Sequence, residues 1–362
     1  MDKRKTLNEI AEEIGVSRIT ISKVINRREG VSQKTIDKVV EALQRNNYKN
    51  LRSIGNNNFI LDEDFLLQDI DENNDEKDIA LICIAPSVSD FWMQITQSIT
   101  KEISRFNKEV KCYFLSRENR SNYKLPINLK KDNTSGLIVI NVYDNLLIND
   151  IESLNIPTVF LDVPPYRTHK TLPGDIFILD GYYSMMEITS QFLRNGQNDL
   201  GFIGDINYAQ TNYDRWRGFK QAFKNYNFDI QKRYCLTTAP QHFFSYAEVK
   251  EHLDRLDRLP RAFICANDVL ANYIAHYAIE KGYKIPEDIM LAGYDNNRRL
   301  PNGVGLTSAD VDTELLGLRL VQQLFLRLKM EHAPKELIYL QPKIYYRKST
   351  ADINPKQLKK YK

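Results

Sequence analysis

From Ile79 onward, short apolar runs alternate with stretches of amphipathic helical spacing, and this alternation restricts the fold more than anything else in the sequence. The runs are IALICIA (79–85), VKCYFLS (110–116), GLIVI (136–140), PTVFL (157–161), LGFIG (200–204), AFICA (262–266) and IMLAGYD (289–295). A strand with one wet face alternates polar and apolar residues. These runs do not, so the expectation is strands buried on both faces, in parallel sheets covered by helices. The length suits an α/β fold of two doubly wound parallel-sheet lobes. Ligands of such sheets bind beyond the carboxyl ends of the strands. The residues there are Pro86 to Trp92, Asn141, Asp162, Asp205 to Asn207, Asn267-Asp268 and Tyr294-Asp295-Asn296. Carboxylates, amides and aromatic rings together suit a hydroxyl-rich small molecule. For any single one of them, capping the next helix is the competing role.

Charge divides the chain further. Residues 1–52 hold twelve Lys/Arg against seven Asp/Glu, whereas LDEDFLLQDIDENNDEKD (61–78) has nine carboxylates and one lysine. The basic surplus therefore belongs to the amino terminus, and the acidic stretch reads as a solvated connector in which Phe59, Ile60, Phe65, Leu66, Leu67 and Ile70 could form one short helix.

Within the first fifty residues, Leu7, Ile10, Ala11 and Ile14 recur at helical spacing and Gly15 ends that helix. Ser17 is placed to cap a second helix with Ile21, Val24 and Ile25 facing inward. Ser32 caps a third, with Ile36, Val39, Val40 and Leu43 on its apolar face. A basic three-helix unit with a glycine turn describes a helix-turn-helix DNA-binding domain, although a small bundle that binds nothing has the same pattern. The order of residues separates these. TLNEIAEEIGVSRITISKVIN (6–26) followed by GVSQKTIDKVVEALQRNNY (30–48) closely resembles the headpiece of the lactose-repressor/galactose-repressor family of bacterial transcription regulators.

The resemblance puts Arg18 and Ile19 at the start of the recognition helix, where the family varies residues to choose its operator. Lys23 stands where the family usually has arginine; lysine still donates to guanine but lacks the planar fork. Ile19 has no donor and is limited to packing on a thymine methyl or reading shape. Ser17, Thr20, Ser22 and Asn26 suit phosphate oxygens, with capping or solvation as the alternative. The family's hinge pattern after the headpiece is barely kept in Asn50-Leu51-Arg52-Ser53-Ile54-Gly55-Asn56. Carboxylates are repelled by phosphate, so the acidic stretch is not expected to enter a groove.

Residues 78–348 are similar to the same family's effector domain and to periplasmic sugar-binding proteins. TNYDRWRGFKQAF (211–223), the stretch AFICAND to GYDNN (262–297) and the late helix from Asp312 to Lys329 carry the likeness. It implies effector contacts for Arg215, Asn267 and Asp295, with Asp162 a weaker transfer. Phe91 and Trp92 would stack on a bound ring, or simply be core. Asp268 is expected to cap the helix it opens, and Arg217 to lie on a solvated face.

The expected organisation is a helix-turn-helix domain (1–50), an acidic linker (51–78), a bilobed effector-binding and dimerisation domain (79–348) and a basic tail (349–362). Its N-lobe spans about 79–175 plus 298–325 and its C-lobe about 176–297 plus 326–348. No catalytic signature, cofactor fingerprint or metal-ligand spacing is present: the five histidines are dispersed, and the four cysteines are spread through the chain. Buried, reduced thiols are the default. The chain opens Met1-Asp2-Lys3-Arg4-Lys5, and nothing nears the roughly 18 uninterrupted apolar residues of a membrane span, so a cytoplasmic protein is expected. The function expected is a repressor of carbohydrate-utilisation genes, binding a palindromic DNA operator as a homodimer under control of a sugar-like effector. The alternative keeps the DNA-binding module and has the body dock a partner protein.

Overall fold

The computed structural model describes residues 7–25, 31–46, 77–85, 89–106, 108–116, 123–167, 172–239, 244–296, 299–330 and 332–353. The chain divides into two compact units between Asp69 and Ile70. The acidic stretch up to residue 76, the hinge-like stretch 50–56, Asn26 and the lysines from Lys356 onward lie outside the described residues.

The first unit contains α1 (Leu7–Glu13), α2 (Arg18–Ile25) and α3 (Gln33–Arg45). Gly15 takes φ +63°, and the backbone N–H of Val16 donates to Ala11 O at 3.0 Å. This left-handed C-cap is why glycine stands there. Ser17 caps α2 by accepting from Thr20 N at 3.0 Å, and Ser32 caps α3 by accepting from Thr35 N at 3.3 Å. Ile10, Ala11, Ile14, Ile21, Val24, Val39, Ala42 and Leu43 form one buried cluster. Three short helices, marginal alone, are stabilised by that shared core.

The second unit holds two six-stranded sheets. The N-lobe sheet contains β1 (Asp78–Ile84), β2 (Val110–Leu115), β3 (Thr134–Ile140), β4 (Thr158–Leu161), β5 (Asp175–Leu179) and β11 (Leu337–Leu340), in the order β11-β5-β4-β3-β1-β2. All its pairings are parallel. Helices α4 (Asp90–Arg105), α5 (Asn145–Ser153) and α10 (Thr313–Lys329) cover it. Close approach of α10 needs Gly136, whose Cβ would sit 2.9 Å from Leu324.

The C-lobe sheet contains β6 (Leu200–Ile203), β7 (Cys235–Leu236), β8 (Ala262–Cys265), β9 (Met290–Tyr294), β10 (Thr307–Asp310) and β12 (Lys343–Tyr345), in the order β12-β10-β9-β8-β6-β7. Its helices are α6 (Gly181–Arg194), α7 (Gln210–Asn225), α8 (Tyr246–Asp254) and α9 (Asp268–Glu280).

The two doubly wound lobes are as expected, with four differences. Strand β12 pairs antiparallel with β10. The carboxyl ends of both sheets face the space between lobes, so a chain leaving β11 there and entering the C-lobe must run against its neighbours. The late segments also divide otherwise than expected: β10 belongs to the C-lobe sheet, α10 covers the N-lobe along its whole length, and β11 returns to the N-lobe sheet. Strand β2 is an edge, so Phe114 is 53% exposed and Cys112 is exposed, whereas Cys83 and Cys265 are buried. Finally, Ser349 and Thr350, placed in the tail by sequence, are fully buried, because their hydroxyls complete the hydrogen bonding of β9 and β10. Among the described residues no helix is long and apolar enough to cross a membrane, and no three His, Cys, Asp or Glu side chains gather as a metal site.

Candidate functional site

In the headpiece, the amino ends of α2 and α3 open onto a shared concavity of about 520 Å³ lined by Gly15, Val16, Ser17, Thr20, Lys23, Val31, Ser32 and Thr35. The Ser17 and Thr20 hydroxyls bond each other at 2.8 Å, as do those of Ser32 and Thr35. Backbone N–H groups and hydroxyls at two helix amino ends favour anions. Arg18 is exposed and Lys23 half-buried, while Ile19 and Ser22 lie on α2 and Asn26 is outside the described residues. Ser17 and Thr20 thus serve as cap residues whether or not they also meet phosphate.

Between the lobes, non-glycine residues with positive φ cluster at strand ends: Ala85 (+45°), Asn141 (+54°), Asp162 (+65°), Asp295 (+100°) and Asn296 (+56°). Strain of this kind persists where the surrounding structure enforces it. Asn141 donates from Nδ2 to Ile84 O at 2.6 Å, bracing two neighbouring strand ends.

Asp162 is 3% exposed and its carboxylate is surrounded by donors. Oδ1 accepts from Val163 N at 2.9 Å and Thr211 N at 3.3 Å; Oδ2 accepts from Thr211 Oγ1 at 2.5 Å and Tyr143 Oη at 3.3 Å. Burial pushes this carboxyl up to about 6, against the opposing effect of those hydrogen bonds and of Arg215. Helix α7 has no side-chain cap of its own from Ala209, and Asp162 of the other lobe supplies one. The Tyr143 and Tyr208 rings meet edge to face at 4.8 Å. Asp162 therefore joins the lobes, and its oxygens are already engaged.

Arg215, on α7, is 5% exposed and lies 3.6 Å from the centroid of the Tyr294 ring. Its Nη1 donates to Ala266 O at 2.7 Å and to Asn212 Oδ1 at 3.1 Å. Gly181 makes room for it, since a Cβ there would lie 2.6 Å from Arg215 Cγ. Its Nε is buried without a hydrogen-bond partner. Burial works against the guanidinium charge, and Tyr294, Asp295, Tyr208 and Asp162 outweigh it, so its pKa is raised. Asp295, half-buried at the end of β9, is pushed up to about 7 by burial, with Arg215 opposing and Asp310 adding to the rise. A guanidinium with a spare donor beside a carboxyl group suits a neutral polar ligand that both donates and accepts.

Of the remaining residues Asp268 departs from its expected role, while Arg217 is exposed as expected. Asn267 is the N-cap of α9, accepting from Leu270 N at 3.0 Å. Asp268, expected as that cap, instead accepts from Ser308 Oγ at 2.9 Å, because it lies one residue inside the helix and beneath β10. Phe91 and Trp92 are half-buried in the first turn of α4, their rings 5.1 Å apart edge to face. Arg217 bonds Asp214 at 3.0 Å on the outer face of α7. Sequence reasoning placed Tyr294 at a strand end but missed Thr211, Tyr143 and Tyr208. Thr211 lies in the first turn of α7, and Tyr143 and Tyr208 lie in strand-to-helix connections, but their partners are distant in sequence or on the facing lobe.

A basic helix-turn-helix unit followed by a two-lobed receptor domain defines a DNA-binding transcriptional regulator. A profile of bacterial regulatory proteins of the lacI family matches residues 6–50, and one of the periplasmic binding protein-like domain matches residues 189–350. The chain is 26% identical over 356 residues to the HTH-type transcriptional repressor PurR of Histophilus somni (strain 129Pt), covering 95% of this chain and 98% of that one. PurR of Pasteurella multocida (strain Pm70) is likewise 26% identical, over 358 residues, with 95% and 98% covered. Among solved structures, a transcriptional regulator CelR–cellobiose complex superimposes with a TM-score of 0.64 at 19% identity, covering 96% of this chain and 100% of that one. The lac repressor dimer bound to operator and the anti-inducer ONPF gives 0.63 at 22% identity, covering 96% and 99%. The lacI-family profile thus covers the headpiece, the periplasmic binding protein-like profile covers the later part of the two-lobed unit, and the relatives that match along nearly the whole chain are transcriptional repressors.

Proposed function

We propose that the protein is a cytoplasmic repressor that binds a palindromic operator as a homodimer, and that a sugar or sugar derivative held between the lobes sets its affinity for DNA. The observation that carries the ligand reading is the buried Arg215 with an unpartnered Nε beside Asp295. Asn267 and the rings of Phe91, Trp92 and Tyr294 complete the proposed contacts; Asp162 acts by joining the lobes around them. In the headpiece, Arg18 and Lys23 read base edges, Ile19 packs on a thymine methyl, and Ser17, Thr20, Ser22 and Asn26 position the helix on phosphates. Exposed Phe114 on edge strand β2 and exposed Met93 on α4 support a second copy docking at the N-lobe. The CelR structure is a complex with cellobiose and the lac repressor structure is an operator-bound dimer, which supports both halves of the reading.

Calorimetric titration with ribose, cellobiose and purine bases tests it, since a carboxylate and guanidinium also match the donor–acceptor edge of a heterocycle. Binding of a sugar should be lost in Arg215→Ala and Asp295→Ala while promoter binding in both stays within about twofold of the parent. Linkage requires a ligand that weakens DNA binding to bind the DNA complex more weakly by the same factor. Binding of purines alone would replace the sugar reading.

A second reading, in which the body docks a partner protein, draws on Tyr166, Tyr183 and Tyr339, which are 58%, 59% and 53% exposed. Tyrosine is common at interface hot spots. Silence towards every small molecule, with a cytosolic protein co-purifying, would favour it.

A further inference from the structure

The last described segment is a clasp on the C-lobe. Ser349 Oγ donates to Leu291 O at 2.7 Å and accepts from Thr307 N at 2.8 Å, so one hydroxyl ties β9 to the residue that begins β10. Thr350 and Thr307 hydroxyls bond at 2.6 Å. Just before the clasp, Arg347 N donates to Thr307 Oγ1 at 2.8 Å, and its Nη1 donates to Leu306 O at 2.6 Å. Its other arm, Nη2, donates to Asn296 Oδ1.

Asn296 is held through its backbone N–H and both polar ends of its side chain. Its Nδ2 donates to Asp310 Oδ2 at 2.8 Å, and its backbone N donates to Ser308 Oγ at 3.0 Å. The Ser308 hydroxyl in turn donates to Asp268, 2.9 Å from each carboxylate oxygen. This anchoring falls on the second of two consecutive left-handed residues, Asp295 and Asn296. L residues rarely hold that conformation unless their surroundings enforce it. The turn carries Asp295, whose backbone N–H donates to Ala309 O of β10 at 2.9 Å and which follows Tyr294, the ring under Arg215 of α7 at 3.6 Å; Arg215 and Asp310 both act electrostatically on its carboxyl group.

We propose that Arg347 is a positioning residue for Asp295: by fixing the Asn296 side chain from the carboxyl-terminal clasp, it holds the turn that presents the Asp295 carboxyl group to Arg215. The inference deepens the reading of the interlobe cleft as a ligand site and rests on it for its purpose. A residue close to the end of the chain, outside the cleft, thereby sets the geometry of a ligand contact.

The test follows Asp295 itself. Aspartate carboxyl carbons of the full-length protein are labelled with carbon-13, Asp295→Asn identifies the resonance, and its titration is followed from about pH 4 to about pH 9. In Arg347→Met the turn relaxes, water reaches the carboxyl, and the titration midpoint falls by about one unit or more. Direct loss of a nearby cation would move it upward, so the sign separates positioning from simple charge. Asn296→Gly, which keeps positive φ accessible but removes both side-chain anchors, should fall equally. Arg347→Lys keeps the charge without the fork and should fall partway. A midpoint within about 0.2 units of the parent in Asn296→Gly and in Arg347→Met, or an upward shift, would overturn the proposal. If Arg347→Met does not fold by circular dichroism, Arg347→Lys and Asn296→Gly decide. The titration needs no ligand, so a protein that binds neither sugars nor purines would refute the ligand reading and leave this result standing.

Discussion

Replacing Thr211 by valine removes one hydroxyl from the junction of the lobes and nothing else of similar size. Thr211 Oγ1 donates to Asp162 Oδ2 at 2.5 Å, with both residues buried. After the change, Oδ2 keeps only Tyr143 Oη at 3.3 Å, while Oδ1 keeps the backbone groups of Val163 and Thr211. A hydrogen bond to a charged group contributes about 1.5–3 kcal/mol and a neutral one about 0.5–1.5 kcal/mol. The size of the effect should therefore follow the protonation of Asp162, whose carboxyl is pushed up to about 6 by burial. A raised carboxyl pKa means the folded state holds the proton more tightly than the unfolded chain. Its stabilising contribution is complete below the ordinary aspartate range and is lost as pH rises through about 6. The Thr211 hydroxyl offsets part of that loss, because it favours the ionised form. Urea unfolding should thus show Thr211→Val costing about 2 kcal/mol near pH 7.5 and about 1 kcal/mol near pH 5. A cost that is equal at both pH values, or larger at the lower one, would refute the assignment of Asp162 as an ionised acceptor joining the lobes.

Other outcomes are expected from single residues. Arg18→Ala should reduce operator affinity about 10- to 100-fold while leaving unrelated duplex nearly unaffected in fluorescence anisotropy, whereas Thr20→Ala should weaken both about equally. Gly15→Ala places a side chain at φ +63°, so the headpiece should lose about 1 kcal/mol in thermal unfolding although a Cβ there meets no atom within 4 Å. Arg327→Met strips the partner from Asp175, which is fully buried and takes donors from Arg327 Nε at 3.0 Å and Gln323 Nε2 at 2.9 Å. Denaturant unfolding should register about 3–5 kcal/mol for that uncompensated charge.

The headpiece was legible because its signals are local. A glycine at a left-handed C-cap, two Ser-x-x-Thr caps and an apolar stripe each act within one helical turn, and the buried cluster around Ile10, Ile21 and Val39 uses the stripe read from sequence. The strands β1, β3, β4, β6, β8 and β9 were legible because an uninterrupted apolar run is affordable only where both faces are covered. Run VKCYFLS was misjudged for the same reason in reverse: apolar composition does not tell an edge strand from a central one, and β2 is an edge. The cleft was half legible. Arg215 and Asp295, the effector contacts that the motifs implied, act on each other electrostatically, whereas Asn267 and Asp162 resemble ligand contacts in sequence and are hydrogen-bonded to protein in the structure.

What the sequence alone determined is everything that depends on near neighbours along the chain: three capped helices, a run of buried strands, and a basic start followed by an acidic stretch. What only the tertiary structure decided depends on partners far apart in sequence. Strand β10 joins one lobe and β11 the other, Thr211 closes on Asp162, and Arg347 reaches Asn296 from near the end of the described chain. Hydrogen bonds satisfy whichever polar group the fold brings within about 3 Å, and a single residue carries no record of which group that will be.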